Sequence, residues 1–141
     1  MQLSRRMSTL THLNPEGLPS NPGFSQAVVV EGPSRMIFVG GQNAVTADGS
    51  IEGDDLATQT RRALRNLELV LVAAGATLAD VVSWSISVVE GHPLGPALGA
   101  FQEIWPVGAP PPAISVVIVA GLANPAFLVE ITAVAVGGGS R

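Results

Sequence analysis

The chain has no cysteine, no lysine and no tyrosine. Without Cys, thiolate nucleophiles, disulfides and thiolate metal sites are excluded. Without Lys there is no Schiff base, hence no lysine-anchored pyridoxal phosphate and no lysine-type aldolase chemistry. His12 and His92 are the two histidines. His12 falls in a Pro/Gly-rich leader, and each reads more readily as a solvated loop residue than as a ligand. No metal site and no cofactor is expected. Catalysis, if present, rests on carboxylate, hydroxyl, amide or backbone groups, arginine and water.

Charge is scarce as well. Charged residues make up 13% of the 141 positions and apolar ones 47%, with a mean hydropathy of +0.42. That is apolar for a soluble monomer of one domain. Gly, Pro or polar residues interrupt every apolar stretch before the ~20 residues of a membrane helix. The surplus is better explained by burial in a homo-oligomer. Met1 to Thr9 carries Arg5 and Arg6 with no apolar core behind them, so it does not read as a secretory signal, and a cytoplasmic protein is expected by default. Met7 offers an alternative start. With a net charge of −4 and no basic stripe interleaved with aromatics, nucleic-acid binding finds no support. No membrane partner is expected either.

Residues 1–22 read as an irregular leader, because Asn14-Pro15-Glu16-Gly17-Leu18-Pro19 cannot hold a helix or a central strand. Gln26 to Glu31 and Arg35 to Val39, joined at Gly32-Pro33-Ser34, predict an antiparallel hairpin. Gly40-Gly41-Gln42 then breaks the strand, and the paired glycines suggest close backbone approach or unusual dihedrals. A long helix starts at Asp54 or Asp55. Leu56, Ala63, Leu67, Val70 and Ala74 form its apolar stripe, widened by Leu64 and Leu71, and Gly75 stops it. Arg61, Arg62 and Arg65 read as its solvated face. Val81 to Val89 is strand-like, with Ser83, Ser85 and Ser87 able to line a pocket or to face solvent. A short helix over Leu94 to Trp105 and two strands, Ala113 to Ala120 and Ala126 to Val136, complete one domain over residues 23–136. Residues 137–141 read as a flexible tail. The order β-β-α-β-α-β-β predicts an α+β fold, a mixed sheet with two helices on one face.

Glu130 stands alone in the run from Ala126 to Val136. Burying a charge costs several kcal/mol in practice unless it is paired or neutralised, to the order of magnitude that buried ions show. A carboxylate kept here is either a structural group bonded at a sheet rim or interface, or a general base tuned by its surroundings.

The ordered set of motifs resembles the Rid family of reactive intermediate deaminases, also called the YjgF or endoribonuclease L-PSP-like family. The pieces are Gly23-Phe24-Ser25-Gln26, Gly40-Gly41-Gln42, Gln59 with Asn66-Leu67, and Ala73-Ala74-Gly75-Ala76 followed by Leu78-Ala79-Asp80-Val81-Val82. Pro112-Ala113 and Leu128-Val129-Glu130-Ile131 close the set. The resemblance implies a chorismate-mutase-like fold, a homotrimer and three clefts between adjacent subunits. It further implies cofactor-free hydrolysis of 2-imino acids and their enamine tautomers to 2-keto acids and ammonia. In the archetypal members an Arg clamps the substrate carboxylate, a Glu positions water, and a Tyr and an Asn complete the pocket.

Carried over by position, the Glu is Glu130, Ile114 stands where the Arg belongs, Phe24 replaces the Tyr and Leu98 falls at or near the Asn. Losing a bidentate clamp removes charge-assisted hydrogen bonds. The resemblance therefore implies an apolar pocket of Phe24, Leu98 and Ile114 around Glu130. Backbone amides of Ile114, Ser115 and Val116 would hold a carbonyl or oxyanion. Two functions stay open: a diverged imine/enamine deaminase-type hydrolase, and a trimer that binds a small ligand without turning it over. The ribonuclease role sometimes attached to the family is disfavoured by the acidic balance.

Overall fold

The computed structural model describes residues 8–32 and 34–137. Strands β1 (Thr9–Leu13) and β2 (Ala27–Glu31) form an antiparallel pair. Strands β3 (Arg35–Gln42), β4 (Val81–Val89), β5 (Ala113–Val119) and β6 (Val129–Gly137) form a second sheet in the order β3-β6-β4-β5. Within it β4 and β5 run parallel and the other pairs antiparallel, so the sheet is mixed. Helices α1 (Leu56–Ala73) and α2 (Gly95–Ile104) cover one face. The expected α+β architecture is the one found.

Two expectations at the N-terminal end are corrected. Residues 9–13 of the supposed irregular leader are strand β1, in which Leu10 and His12 face inward by alternation. The predicted hairpin gives way to a different pairing: among the described residues β2 takes β1 as its partner, and β3 takes β6. The reason lies in β6, whose alternating Val129, Ile131, Ala133 and Ala135 are buried under the helices. A strand that apolar wants a neighbour on each edge, and β3 supplies Val39 and Ile37 to the same core. At the other end, Gly137 is the last residue of β6 rather than the start of a tail, and it abuts the Asp80 carboxyl. Residues 138–141 lie outside the described residues.

Helix α1 follows its sequence signals closely. Asp55 caps it, accepting the Thr58 N–H at 2.8 Å and the Thr58 hydroxyl at 2.7 Å. Leu56, Ala63, Leu64, Leu67 and Leu71 are buried, as a stripe at helical spacing should be. At the far end Gly75 adopts φ of +77°, and the Ala76 N–H reaches back to the Leu71 carbonyl at 2.8 Å. That closure satisfies carbonyls the helix would otherwise leave open. Helix α2 buries Ala97, Ala100 and Phe101 in the core, where Trp84 of β4 meets Phe101 and Trp105 edge-on at 5.0 and 5.3 Å between ring centroids.

Candidate functional site

Strand alternation decides where Glu130 points. Its neighbours Val129 and Ile131 enter the core, so Glu130, Thr132 and Val134 project from the face without helices. Residues paired across a sheet share a face. Glu130 is therefore flanked by Ser87 of β4 and, beyond it, Val117 of β5. The next rung holds Thr132, Ser85 and Ser115, and the one after it Val134, Ser83 and Ala113, with Phe38 on the β3 side. The open face thus carries a band of hydroxyls with one carboxylate at its edge. Within one chain the β4 serines face outward on this surface, with Ser85 exposed.

On the remaining side the carboxyl group lies against Gly41. A Cβ there would fall 2.7 Å from the Glu130 Cδ and 2.8 Å from Oε1, closer than packed atoms tolerate. Of the two readings of the paired glycines, close approach is the one found, and it is made by this side chain; the pair shifts the β3–β6 register after Val39 rather than ending the strand, which runs to Gln42. Glu130 itself is half-buried. Among the described residues its carboxylate has no hydrogen-bond or ion-pair partner.

Carboxamides hold the backbone around it. Gln59, buried on α1, donates to the Gly53 and Ala126 carbonyls at 3.0 and 2.9 Å and accepts the Leu128 N–H at 2.8 Å. Asn43 donates to the Val129 carbonyl at 3.0 Å. Asn66 of α1 in turn donates to the carbonyls of Asn43 and Val45 at 2.9 and 2.8 Å. The stretch entering Glu130 is clamped from both sides. Gln59 and Asn66 carried only a motif resemblance in the sequence; their signal was a polar side chain within an apolar helical stripe.

A second cluster fixes Phe24. The neighbouring Ser25 is buried, donates its hydroxyl to the Pro111 carbonyl at 2.6 Å, and donates its N–H to the Pro112 carbonyl at 3.0 Å. His12 Nδ1 sits 3.1 Å from the Ser25 hydroxyl and 3.0 Å from the Pro111 carbonyl. With the serine proton committed to Pro111, the consistent tautomer carries its proton on Nδ1 and donates it there. His12 is therefore a strand residue tying β1 to the approach of β5, not a solvated loop residue. This cluster places Phe24 beside the start of the strand that bears Ile114.

The remaining residues fall elsewhere. Ile114 pairs with Trp84 and Val116 with Ile86, which puts both on the helix-covered side, opposite Glu130. Ile114 packs against the core, whereas Val116 stays exposed because β5 is the outer strand. Leu98 is half-exposed on the outer surface of α2. Of the expected β5 residues, Ser115 alone shares the Glu130 face within one chain. Within one chain, strand alternation sets Ile114 and Glu130 on opposite faces of the sheet.

The four described arginines are also on the helix side. Arg35 holds the Gly137 and Ala74 carbonyls, Arg61 pairs with Glu103 at 3.2 Å, Arg62 donates to the Val45 carbonyl, and Arg65 is exposed on α1. Among the described residues no three His, Asp or Glu side chains gather as metal ligands, and no helix is long and apolar enough to cross a membrane.

Known proteins share this architecture. A sequence profile of the family described as Endoribonuclease L-PSP matches residues 17–137. The chain is similar to the crystal structure of YyfB from Yersinia pestis, a protein of the conserved Rid family. Identity is 44%, the match covers 89% of this chain and 97% of that one, and the TM-score is 0.76. It is similar to the YjgF gene product of E. coli at 31% identity over 72% and 80% of the two chains, with a TM-score of 0.63. Among sequences, it is 33% identical over 114 residues to Protein mmf1, mitochondrial, of Schizosaccharomyces pombe, covering 81% of this chain and 67% of that protein.

Proposed function

The chain belongs to the endoribonuclease L-PSP family, the Rid or YjgF proteins, and on that premise we propose that it is a diverged, cofactor-independent hydrolase of the imine/enamine deaminase type. The observation that carries this reading is the Glu130 carboxylate, without a partner among the described residues, on a hydroxyl-lined face and with Gly41 beside it making room for the side chain. An unpaired carboxylate accepts the proton of a water and turns its lone pair toward an electrophilic carbon. The Ser87 hydroxyl, directly across from Glu130 on β4, orients that water.

Strand β5 is the outer strand, so alternate amides along Ile114, Ser115 and Val116 point outward for a carbonyl or oxyanion. In a homotrimer, this edge of one subunit meets the open face of the next. Phe24, Ile114 and Leu98 then line the cleft from across the boundary. Three replacements of polar groups by Phe24, Leu98 and Ile114 favour the second reading, a non-catalytic trimer that binds a small ligand in the same clefts. Cytoplasmic residence is part of the proposal, and cell fractionation checks it against the mitochondrial location in the name of the fission-yeast relative.

The test is ammonia release from imines generated in place by an oxidase, with and without the protein. Glu130→Gln should leave mass and melting temperature unchanged and lower turnover by roughly 10²–10⁴-fold, the range of a lost acid–base group. Equal activity of parent and variant would leave the binding reading in possession.

A further inference from the structure

The charges are distributed in a way that specifies the ligand more closely. Among the strand residues of the open face, Glu130 is the one ionic group; its neighbours in the sheet are hydroxyls, Gly41 and apolar side chains. The described guanidinium groups are held on the helix side. Arg35 reaches the end of α1, Arg61 is paired with Glu103, and Arg62 reaches the Val45 carbonyl. A half-buried anion with no counter-charge among the described residues repels a second carboxylate and attracts a cation, and both effects strengthen where water is thinned.

We infer that this site takes a ligand bearing a protonated nitrogen and no carboxylate: an ammonium, or the iminium form of a simple imine, with its N–H bonded to Glu130. The inference rests on the hydrolase reading only for turnover; binding tests it independently. In turnover, one Glu130 oxygen holds the iminium N–H while the other takes a proton from water. The water oxygen bonds to the iminium carbon, giving a neutral carbinolamine and protonated Glu130. That proton then passes to nitrogen, the hydroxyl electrons form the carbonyl, and the C–N bond breaks. The released proton leaves with the amine, so that iminium plus water gives carbonyl plus ammonium. No oxidant or reductant enters.

Butylammonium, butyramide and butyrate share a size and differ in charge. Their affinities for the intact protein, measured by NMR titration of the methyl and amide signals, should fall in that order, with butylammonium at least about tenfold tighter than butyrate. Glu130→Asp should keep most of that ratio and Glu130→Gln should bring it near one. A parent protein that binds butyrate as well as butylammonium overturns the inference, whatever the variants do. For turnover, an amine oxidase supplies a carboxylate-free imine and an amino-acid oxidase supplies a 2-imino acid. Faster ammonia release from the first supports the inference, and from the second overturns it. Acceleration of neither removes the hydrolase reading, and the binding ratio still decides the charge preference.

Discussion

Glu130 and Gly41 form one functional unit, although eighty-eight positions lie between them. The sequence marked both, one as a carboxylate in an apolar run and the other as half of a glycine pair, but not that they touch. Register joins them, and register depends on the β3–β6 pairing, which local pattern did not favour over the hairpin. The contact yields a distinctive expectation. In Gly41→Ala the new methyl meets the far end of a flexible side chain, so Glu130 swings aside and little stability is lost, within about 1 kcal/mol for a tolerated surface change. The displaced carboxylate should nonetheless cost function heavily. A melting temperature within a few degrees of the parent, with ligand binding or turnover at least tenfold lower, is the expected pair of results. His12 was legible only as a histidine near prolines. Its partners Ser25 and Pro111 lie 13 and 99 positions away, a distance that no local signal spans.

Among the elements, α1 was readable almost to the residue, because its cap, its stripe and its terminal glycine are all local. The strands were harder: β4 and β5 fell where expected, while β1 hid among prolines and β2 found a different partner. What the sequence did not disclose is that α1 also reaches across to the last strand. Gln59 satisfies three backbone groups from inside the core. Gln59→Leu keeps the bulk but strands two carbonyls and an N–H, each costing about 1–3 kcal/mol when buried and unpaired. Chemical denaturation should show a loss of roughly 2–4 kcal/mol, after partial relaxation of the loop, by the same reasoning. The turn before α1 makes a separate, pH-dependent contribution. Hydrogen bonds from the Thr46 hydroxyl, and then from the Ser50 N–H, lower the Asp48 pKa from 3.8 to about 2. A lowered native pKa means stability that is present above 3.8 and is lost as pH falls toward 2. Asp48→Asn should flatten the stability curve in that window, with the deficit relative to the parent largest near neutrality and vanishing as pH falls toward 2, as acid titrations of melting temperature will show.

For the molecule as a whole, one chain leaves too much apolar surface in the wrong place. Phe38 is 72% exposed and Met36 57% on the open face, with Val117 at 50%, while Val116 and Ile118 are uncovered along the outer strand. Contiguous patches of this kind are rare on soluble monomers and mark surfaces that meet a partner. An outer strand with unpaired amides adds a second reason, since such edges invite pairing unless covered. The separation of Ile114 and Glu130 on opposite faces points the same way: residues that cannot meet within a chain can meet between chains, and a sequence read as one copy misses this. We therefore expect a homotrimer, with a mass in solution three times the 14.4 kDa of the chain. Phe38→Asp places a charge at the centre of the patch without touching the helix-side core, which β3 supplies through Ile37 and Val39. Light scattering should show dissociation toward the monomer while circular dichroism keeps the helical signal. If the clefts lie between subunits, ligand binding should disappear with the trimer. A stable monomer in the parent protein, or a Phe38→Asp monomer that binds ligand as well as the parent, would place the whole site within one chain and require a new account of Ile114 and Leu98.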